Sequence, residues 1–569
     1  MQFGNNGETN SRNLVIALVL FVVLVFANDH FFGSAKTEKK DSEKCEKVAT
    51  TENVEISTRE SAPKSHDLSI DDALTKESMV FVENKYMIGA INLDDGTIDS
   101  VVLKDYKETI ASDSKNVMLL MPKGTSSESY YSVSYFDNTN NEKVDNKMVW
   151  VSDTDSPVVL LRLESKNGLT IDRTITLDDQ YLIKIKDNIT NISGKEISIS
   201  ASSSFVKRNP KQNNYAVVHE GIIGNFFGKI EEVKYKDIEN ETTVKDCDWV
   251  GYTDIYWLCS IVNKEKNLFN ISYSKSEDGL YKISLKRKED IKLSPNTNTE
   301  LEYTLFTGPK DISILNKYKE RLDADKFEMA IDFGWFFMIT KPLVQFMNML
   351  ASVLPNMGLV ILILTLFFKL ITYPLIKKSF ISAAKIRELQ PKIGAIQKLY
   401  ANDKVRINQE LIALYKKEKV SPMSGCLPML LQAPVFFCLY KVFFINIKMR
   451  HAPLFGWIND LSSPDSTYLF NLFGAIDWTP PGILQIGIWP LIMGISMFLQ
   501  QKLTSANKNS TVEKTSEQKM QENMMLILPI MFTYICSSFP VGVVVYWTIS
   551  NVFGILQQRH FNKKIKLQK

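Results

Sequence analysis

The sequence predicts a membrane protein with six transmembrane α-helices, an exported β-sandwich domain and a cytoplasmic helical hairpin. Three observations carry that prediction. The 569-residue chain divides into a polar half, up to about residue 325, and an apolar half after it. The apolar half holds five long apolar runs, and a further run, Leu14–Ala27, lies near the N-terminus. The third observation is Lys369, alone inside the apolar stretch 357–376, which is about the length that crosses a bilayer core as a helix. A charge near mid-membrane is costly unless it faces a polar cavity or snorkels to the interface. Snorkelling stays open from this segment alone, because the basic pair Lys377–Lys378 lies close by.

Composition bounds the rest. The length exceeds one compact domain. A net charge of +3 is too small to argue for nucleic acid, so DNA is not an expected partner. Six cysteines make no disulfide framework. Cys426 and Cys438 share one apolar segment and cannot pair, whereas Cys247 and Cys259 could bridge if their strands are adjacent. No CxxC or Cys/His spacing suggests a metal, and no cofactor is expected. Arg12 and Asn13 precede the N-terminal apolar run, which reads either as a cleavable signal, with Val25 and Ala27 as the small-residue site, or as an uncleaved anchor. Both readings keep the N-terminus cytoplasmic and export the residues after the run.

Residues 34–77 are charged and poor in aromatics, the composition of a disordered linker. From about Ser78 short alternating runs begin, among them Val80–Val82, Tyr86–Leu93, Ile98–Leu103, Tyr130–Phe136, Val158–Leu163, Tyr181–Ile189 and Ile197–Ser203. Short strands broken by turn signals such as Asp94-Asp95-Gly96 predict an all-β domain over 78–325, closed by a helix at Asp311–Leu322. Residues 326–355 mix Trp335, Phe336, Phe337, Phe346 and Met349 with Asp332 and Lys341, the pattern of an amphipathic helix lying in the membrane interface.

Transmembrane helices are expected over 1–33 with the N-terminal end, then 356–376, 425–447, 483–500, 524–539 and 541–557. The last three are short, roughly 25 Å at about 1.5 Å per residue, which implies local bilayer thinning. Lys/Arg bias sets the orientation. Residues 377–420 carry eleven basic against four acidic residues, and the loop 448–482 carries two against three. The tail 558–569 holds Arg559, Lys563, Lys564, Lys566 and Lys569 and no acid. The segments 377–424 and 501–523 and both termini are therefore expected inside, and the β-domain and the 448–482 loop outside.

The 377–424 segment itself reads as a helical hairpin. Ile386, Leu389, Ile393, Ile396 and Leu399 form one stripe with Pro391 as a kink; Ile407, Leu411 and Leu414 form another after an N-cap at Asn402–Asp403. Its basic residues Lys385, Arg387, Lys392, Lys398, Arg406 and Lys416 either form a solvated face or dock ribosomal RNA, anionic lipid or a targeting receptor. In the spans, Thr365, Gln432, Gln500, Thr533, Ser537, Ser538, Thr548, Ser550 and Asn551 are polar. Singly each reads as helix–helix glue. With Lys369 they suggest a polar cavity opening to the cytoplasm. No Asp or Glu lies in any span, so the carboxylate relay of a transporter or pump is missing and an acidic group on a client could be attracted instead.

Several ordered motifs resemble the YidC family of bacterial membrane-protein insertases. They are Tyr373-Pro374-Leu375, Leu389-Gln390-Pro391-Lys392-Ile393, Gln409-Glu410, Ala413-Leu414-Tyr415-Lys416 and Gly425-Cys426-Leu427-Pro428. Gln432-Ala433-Pro434-Val435-Phe436, Phe455-Gly456-Trp457-Ile458 with Asp460-Leu461, Phe539-Pro540-Val541-Gly542, Tyr546-Trp547 and Ser550-Asn551 continue the series, and Gly308-Pro309-Lys310 ends the exported domain. The resemblance covers essentially the whole chain. It implies a five-helix insertase core plus an uncleaved N-terminal anchor in the bacterial inner membrane, a large periplasmic β-sandwich and a hydrophilic groove open to cytoplasm and lipid. The groove charge in the family is usually an arginine; here Lys369 stands there, a point charge in place of a bidentate fork.

The function this implies is a non-enzymatic insertase and folding chaperone for inner-membrane proteins, acting alone or with the Sec translocon. Lys369, Thr365, Gln432, Ser550 and Asn551 are the expected client-binding groove, and the basic hairpin residues the expected recruiting surface. Expected partners are nascent membrane proteins, the bilayer, the Sec translocon, the ribosome and the signal-recognition-particle receptor. Two rival functions find less support in the residues. An enzyme would need a convergent His/Glu set, but His219 and Glu220 are adjacent and on a strand would point to opposite faces. A transporter would need intramembrane carboxylates.

Overall fold

The computed structural model describes residues 69–567, apart from 76–77, 145–148, 151–157, 166, 211–217, 239–241, 245–246, 264–267, 402, 421–426, 477 and 506–526. The N-terminal apolar run, nearly all of the linker and most of the 501–523 loop lie outside these residues.

Alternation builds the exported domain. Ser129–Asp137 alternates buried and half-buried residues without a break, and Leu169–Leu177 does the same. Such strands cover a core with one face, so two sheets are needed to close it. The described residues form sheets of eleven and nine strands. In one, Met79–Glu83, Met87–Asn92, Thr97–Lys107, Ser129–Asp137, Ile197–Arg208, Leu280–Arg287, Phe269–Lys275 and Thr242–Val244 lie side by side. In the other, Asn298–Pro309 sits between Trp257–Val262 and Leu182–Asn191, and Cys247–Thr253 pairs with Trp257–Val262. Trp249, Tyr131, Phe205 and Phe306 are among the largest fully buried side chains. Inside this core Arg173 forks onto Asp187 at 2.7 and 2.8 Å, and the Tyr135 hydroxyl donates to the same carboxylate.

The possible Cys247–Cys259 bridge is ruled out by register. Their strands are adjacent, but Cys259 faces Tyr252. Cys247 lies five residues further along, roughly 17 Å away at about 3.4 Å per residue; both cysteines are buried and outside any disulfide, and the Cys247 thiol donates to the Trp249 carbonyl.

Ten helices are described: α1 (Ile70–Leu74), α2 (Ile312–Leu322), α3 (Phe337–Val353), α4 (Met357–Glu388), α5 (Gln390–Leu399), α6 (Lys404–Lys417), α7 (Leu427–Ile445), α8 (Ile488–Ser505), α9 (Ile527–Cys536) and α10 (Val541–Leu567). Asp311 caps α2 by accepting from the Ser313 N–H at 2.8 Å. The Tyr318 hydroxyl and Arg321 of α2 both reach Asp178, at 2.7 Å, which closes the sandwich.

Three boundaries differ from the sequence reading. α4 does not stop at Ile376 but runs to Glu388, so residues 377–388 extend the apolar helix rather than open the hairpin. Pro391 occupies the first turn of α5, where its missing N–H costs nothing, instead of kinking a continuous helix. α8 starts at Ile488, not Ile483, because Pro480, Pro481 and a 3-10 turn at Gly482–Leu484 precede it. Among the described residues two stretches are long and apolar enough to cross a membrane, Met357–Ile386 and Val541–Lys563; Pro434–Ile445 and Ile527–Cys536 are shorter apolar helices.

Candidate functional site

Lys369 projects from α4 into a pocket shared with α7 and α10. Phe368, Lys369, Thr372 and Ile376 line it from α4, Gln432 and Val435 from α7, and Tyr546 from α10. The space is about 20 Å³, enough for a water molecule. The Gln432 amide donates to the Tyr546 hydroxyl at 3.1 Å, and Ser550, buried one turn further along α10, lies beside that hydroxyl. Among the described residues the Lys369 ammonium makes no hydrogen bond or ion pair. It is half-buried, whereas the layer beyond it on the Met357 side is dry: Ile361, Leu364, Val442, Phe443, Val543 and Val544 are almost wholly buried. The pocket is thus a polar notch against an apolar plug.

The structure separates the remaining expected groove residues from this notch. Thr365 is fully buried and its hydroxyl donates to the Ile361 carbonyl at 2.7 Å. Asn551 donates to Ser496 at 2.9 Å, which ties α10 to α8. Thr548 and Thr533 likewise bond to carbonyls four residues back in their own helices. A hydroxyl used this way leaves little capacity for a client. Gln500 packs against Gly554, where an added Cβ would come within 2.5 Å of its amide nitrogen, so it too serves helix packing. Thr372 and Tyr546 join the site without having been expected there. Thr372 lies three residues from Lys369, toward the Glu388 end of α4, and that helical spacing is the signal that could have found it. Tyr546 carries no such signal, because a tyrosine in an apolar run reads as core.

The hairpin packs through Leu389, Ile393 and Val420, with Ile386, Leu411, Leu414 and Tyr415 around them. Leu399, expected in the stripe, is 73% exposed. Of the basic set, Lys392 pairs with Glu418 at 3.0 Å and the Arg406 guanidinium stacks 5.0 Å over the Tyr400 ring. Lys385, Lys398 and Lys416 are exposed.

At the other end of α7 stands a second cation, Lys441, which the sequence does not mark as special. It pairs with Asp332 at 2.7 Å. Asp332 also accepts from the His219 backbone N–H at 3.1 Å and from that of Gly334 at 3.0 Å. This junction joins the sandwich, the residues just before α3 and the helix α7. Burial pushes His219 down to about 4 and Lys310 down to about 8, and lifts Glu232 to about 7. Nearby, Arg450 donates to the carbonyls of Lys107 and Glu108 at 2.7 and 3.0 Å. The His219 ring is held with Nε2 2.9 Å from the Ile222 carbonyl and Nδ1 4.0 Å from the Glu232 carboxylate. Among the described residues no group of three or more His, Cys, Asp or Glu could hold a metal ion.

A β-sandwich joined to apolar helices that enclose one basic notch defines a membrane-associated protein with an exported domain. Similarity to known proteins narrows this. Residues 79–346 match the family model of the YidC periplasmic domain, and residues 349–569 match that of the 60Kd inner membrane protein. The chain is 36% identical to the membrane protein insertase YidC of Rickettsia prowazekii and 34% identical to that of Rickettsia rickettsii strain Iowa, in both cases over 98% of this chain and 100% of the relative. An active YidC insertase crystal structure with its first transmembrane domain resolved matches at a TM-score of 0.34 and 17% identity, over 84% of this chain and 92% of that one. The chain belongs to the YidC family of membrane protein insertases. Insertases are not enzymes.

Proposed function

We propose that this chain inserts client transmembrane segments into the inner membrane through the notch lined by Lys369, Thr372, Gln432 and Tyr546. The observation that carries the reading is a half-buried lysine with no described partner, facing a water-sized space beside an apolar plug. Lys369 attracts the polar or acidic flank of a client, and Gln432, Tyr546 and Thr372 replace part of its hydration shell. The client's apolar segment then slides into lipid, where burial of apolar surface drives release. No nucleotide step is needed, and the sequence has no GxxxxGK[ST] motif.

In this reading the chain spans the membrane six times with both termini cytoplasmic and the sandwich periplasmic. The charge asymmetry of the loops supports that orientation. The exposed Lys385, Lys398 and Lys416 of the cytoplasmic hairpin recruit the ribosome or the signal-recognition-particle receptor, and the Sec translocon is a partner for some clients.

The test is insertion in a purified system. The chain is reconstituted alone into liposomes, given a ribosome-made single-span client with a short acidic tail, and scored by protease protection of that tail. Protection is expected with Lys369 and with Lys369→Arg. Lys369→Glu replaces attraction by repulsion, and a change of about 1.4 kcal/mol is a factor of ten; a roughly tenfold or greater loss is expected for acidic tails. Equal protection by both variants removes the charge-attraction role.

A further inference from the structure

We propose that the segment Leu469–Trp478, between α7 and α8, inserts its side chains among the lipid acyl chains of the exported leaflet; this rests on the membrane-spanning reading above. Leu469, Phe470, Leu472, Phe473, Ile476 and Trp478 are each between 38% and 61% exposed. Single exposed apolar residues are ordinary, but six large ones in ten positions form a patch that needs a cover. From Ser466 to Gly487 the sequence contains one charged residue, Asp477, so attraction to charged headgroups is not the chemistry on offer.

The backbone points to lipid as that cover. Irregular chain enters hydrocarbon only when its polar groups are satisfied from within. Here the Leu469 N–H donates to Ile486, Phe473 to Tyr468, Ala475 to Leu472, Ile476 to Asn471 and Trp478 to Ile476, at 2.8–3.2 Å. The Asn471 amide donates to the Trp478 carbonyl at 3.3 Å. These backbone N–H groups are thus satisfied within the segment and by its neighbours Tyr468 and Ile486, while the apolar side chains stay exposed. Leu472 and Phe473 hold φ of 50° and 61°, left-handed values that non-glycine residues adopt only where the surroundings hold them. Location fits as well. A bridge between Tyr468 and Gly487 ties the segment to the start of α8, and the exposed Ile492 and Ile495 continue the apolar surface along that helix. A tryptophan at the interface, here Trp478, is the usual anchor.

The test uses the full chain in vesicles of phosphatidylcholine and phosphatidylglycerol, with the phosphatidylcholine either plain or brominated near the glycerol end of its acyl chains. Subtracting the fluorescence of Trp478→Phe from that of the unaltered chain isolates Trp478. Bromolipid is expected to quench this difference signal by half or more, and iodide on both sides of the membrane to leave it largely intact. Quenching by iodide and not by bromolipid places the segment in water and overturns the proposal. Quenching by neither places it under protein, such as a second copy of this chain, and also overturns it. If the remaining tryptophans also escape bromolipid, the chain is not in the bilayer and the membrane reading fails with it. Phe473→Trp in the Trp478→Phe background repeats the measurement from a second position.

Discussion

His219 shows how burial sets the chemistry of a single residue. Its ring is buried, Nε2 lies 2.9 Å from the Ile222 carbonyl, and the Lys310 and Lys234 ammonium groups face it alongside Asp332 and Glu232. Burial is the main reason its pKa falls to about 4 from an ordinary 6.5. The folded state then binds fewer protons than the unfolded one, so this stabilisation is lost as pH falls from 6.5 through 4. Each pH unit within that window removes about 1.4 kcal/mol. Glu232 acts in the opposite sense. Raised to about 7, it contributes stability below 4.5 that is lost as pH rises through 7, and with two-fifths of its side chain still reaching water it offsets His219 only in part. Urea unfolding of the detergent-solubilised chain should therefore weaken between pH 6.5 and 4. Glu232→Gln should steepen that loss and His219→Gln should flatten it; identical pH slopes in all three would remove His219 as the acid-sensitive group. At the same scale the notch was half legible. Lys369 and Gln432 stand out as polar residues in apolar runs, whereas Tyr546 meets Gln432 across 114 positions of sequence and only folding brings them together.

At the scale of elements, periodicity tells most where one face of an element meets a core. The exported strands alternate because each covers the sandwich with one side, and the stripes of α5 and α6 are readable for the same reason. Ends are less legible. α4 continues past its apolar run because charged residues such as Lys377 and Lys378 are good helix formers, and no breaker intervenes before Pro391. The hairpin core is small, with three buried side chains among the described residues, Leu389, Ile393 and Val420. Ile393→Ala should cost the hairpin about 2–4 kcal/mol, since truncating a buried isoleucine removes both transfer energy and packing. The surface pair Lys392–Glu418, worth about 1 kcal/mol at most, cannot offset that. Amide hydrogen exchange should speed up across residues 404–417 and stay unchanged in the Val541–Lys563 helix. Faster exchange in both would mean that the hairpin and the membrane helices unfold as one unit.

Across the whole molecule, two halves that differ in composition are held by ionic contacts between residues far apart in sequence. Lys441 and Asp332 are separated by 109 positions, with side chains 11% and 18% exposed. Only folding brings together two residues this far apart in sequence, which is why the pair was not legible. The pair links the segment just before α3, and through His219 the sandwich, to the helix that carries Gln432. Removing one member of a buried pair leaves the other uncompensated, at a cost of about 3–5 kcal/mol, whereas neutralising both costs much less than the sum. Lys441→Met should therefore destabilise the detergent-solubilised chain and speed protease cleavage between the sandwich and α3. Asp332→Asn keeps a side-chain oxygen for the His219 or Gly334 N–H and should cost less. The double variant Lys441→Met with Asp332→Asn should recover at least about 1 kcal/mol relative to the sum of the single changes, the size of coupling seen for residues in direct contact. Strict additivity would mean that the pair is a local contact without a role in holding the exported domain to the membrane helices.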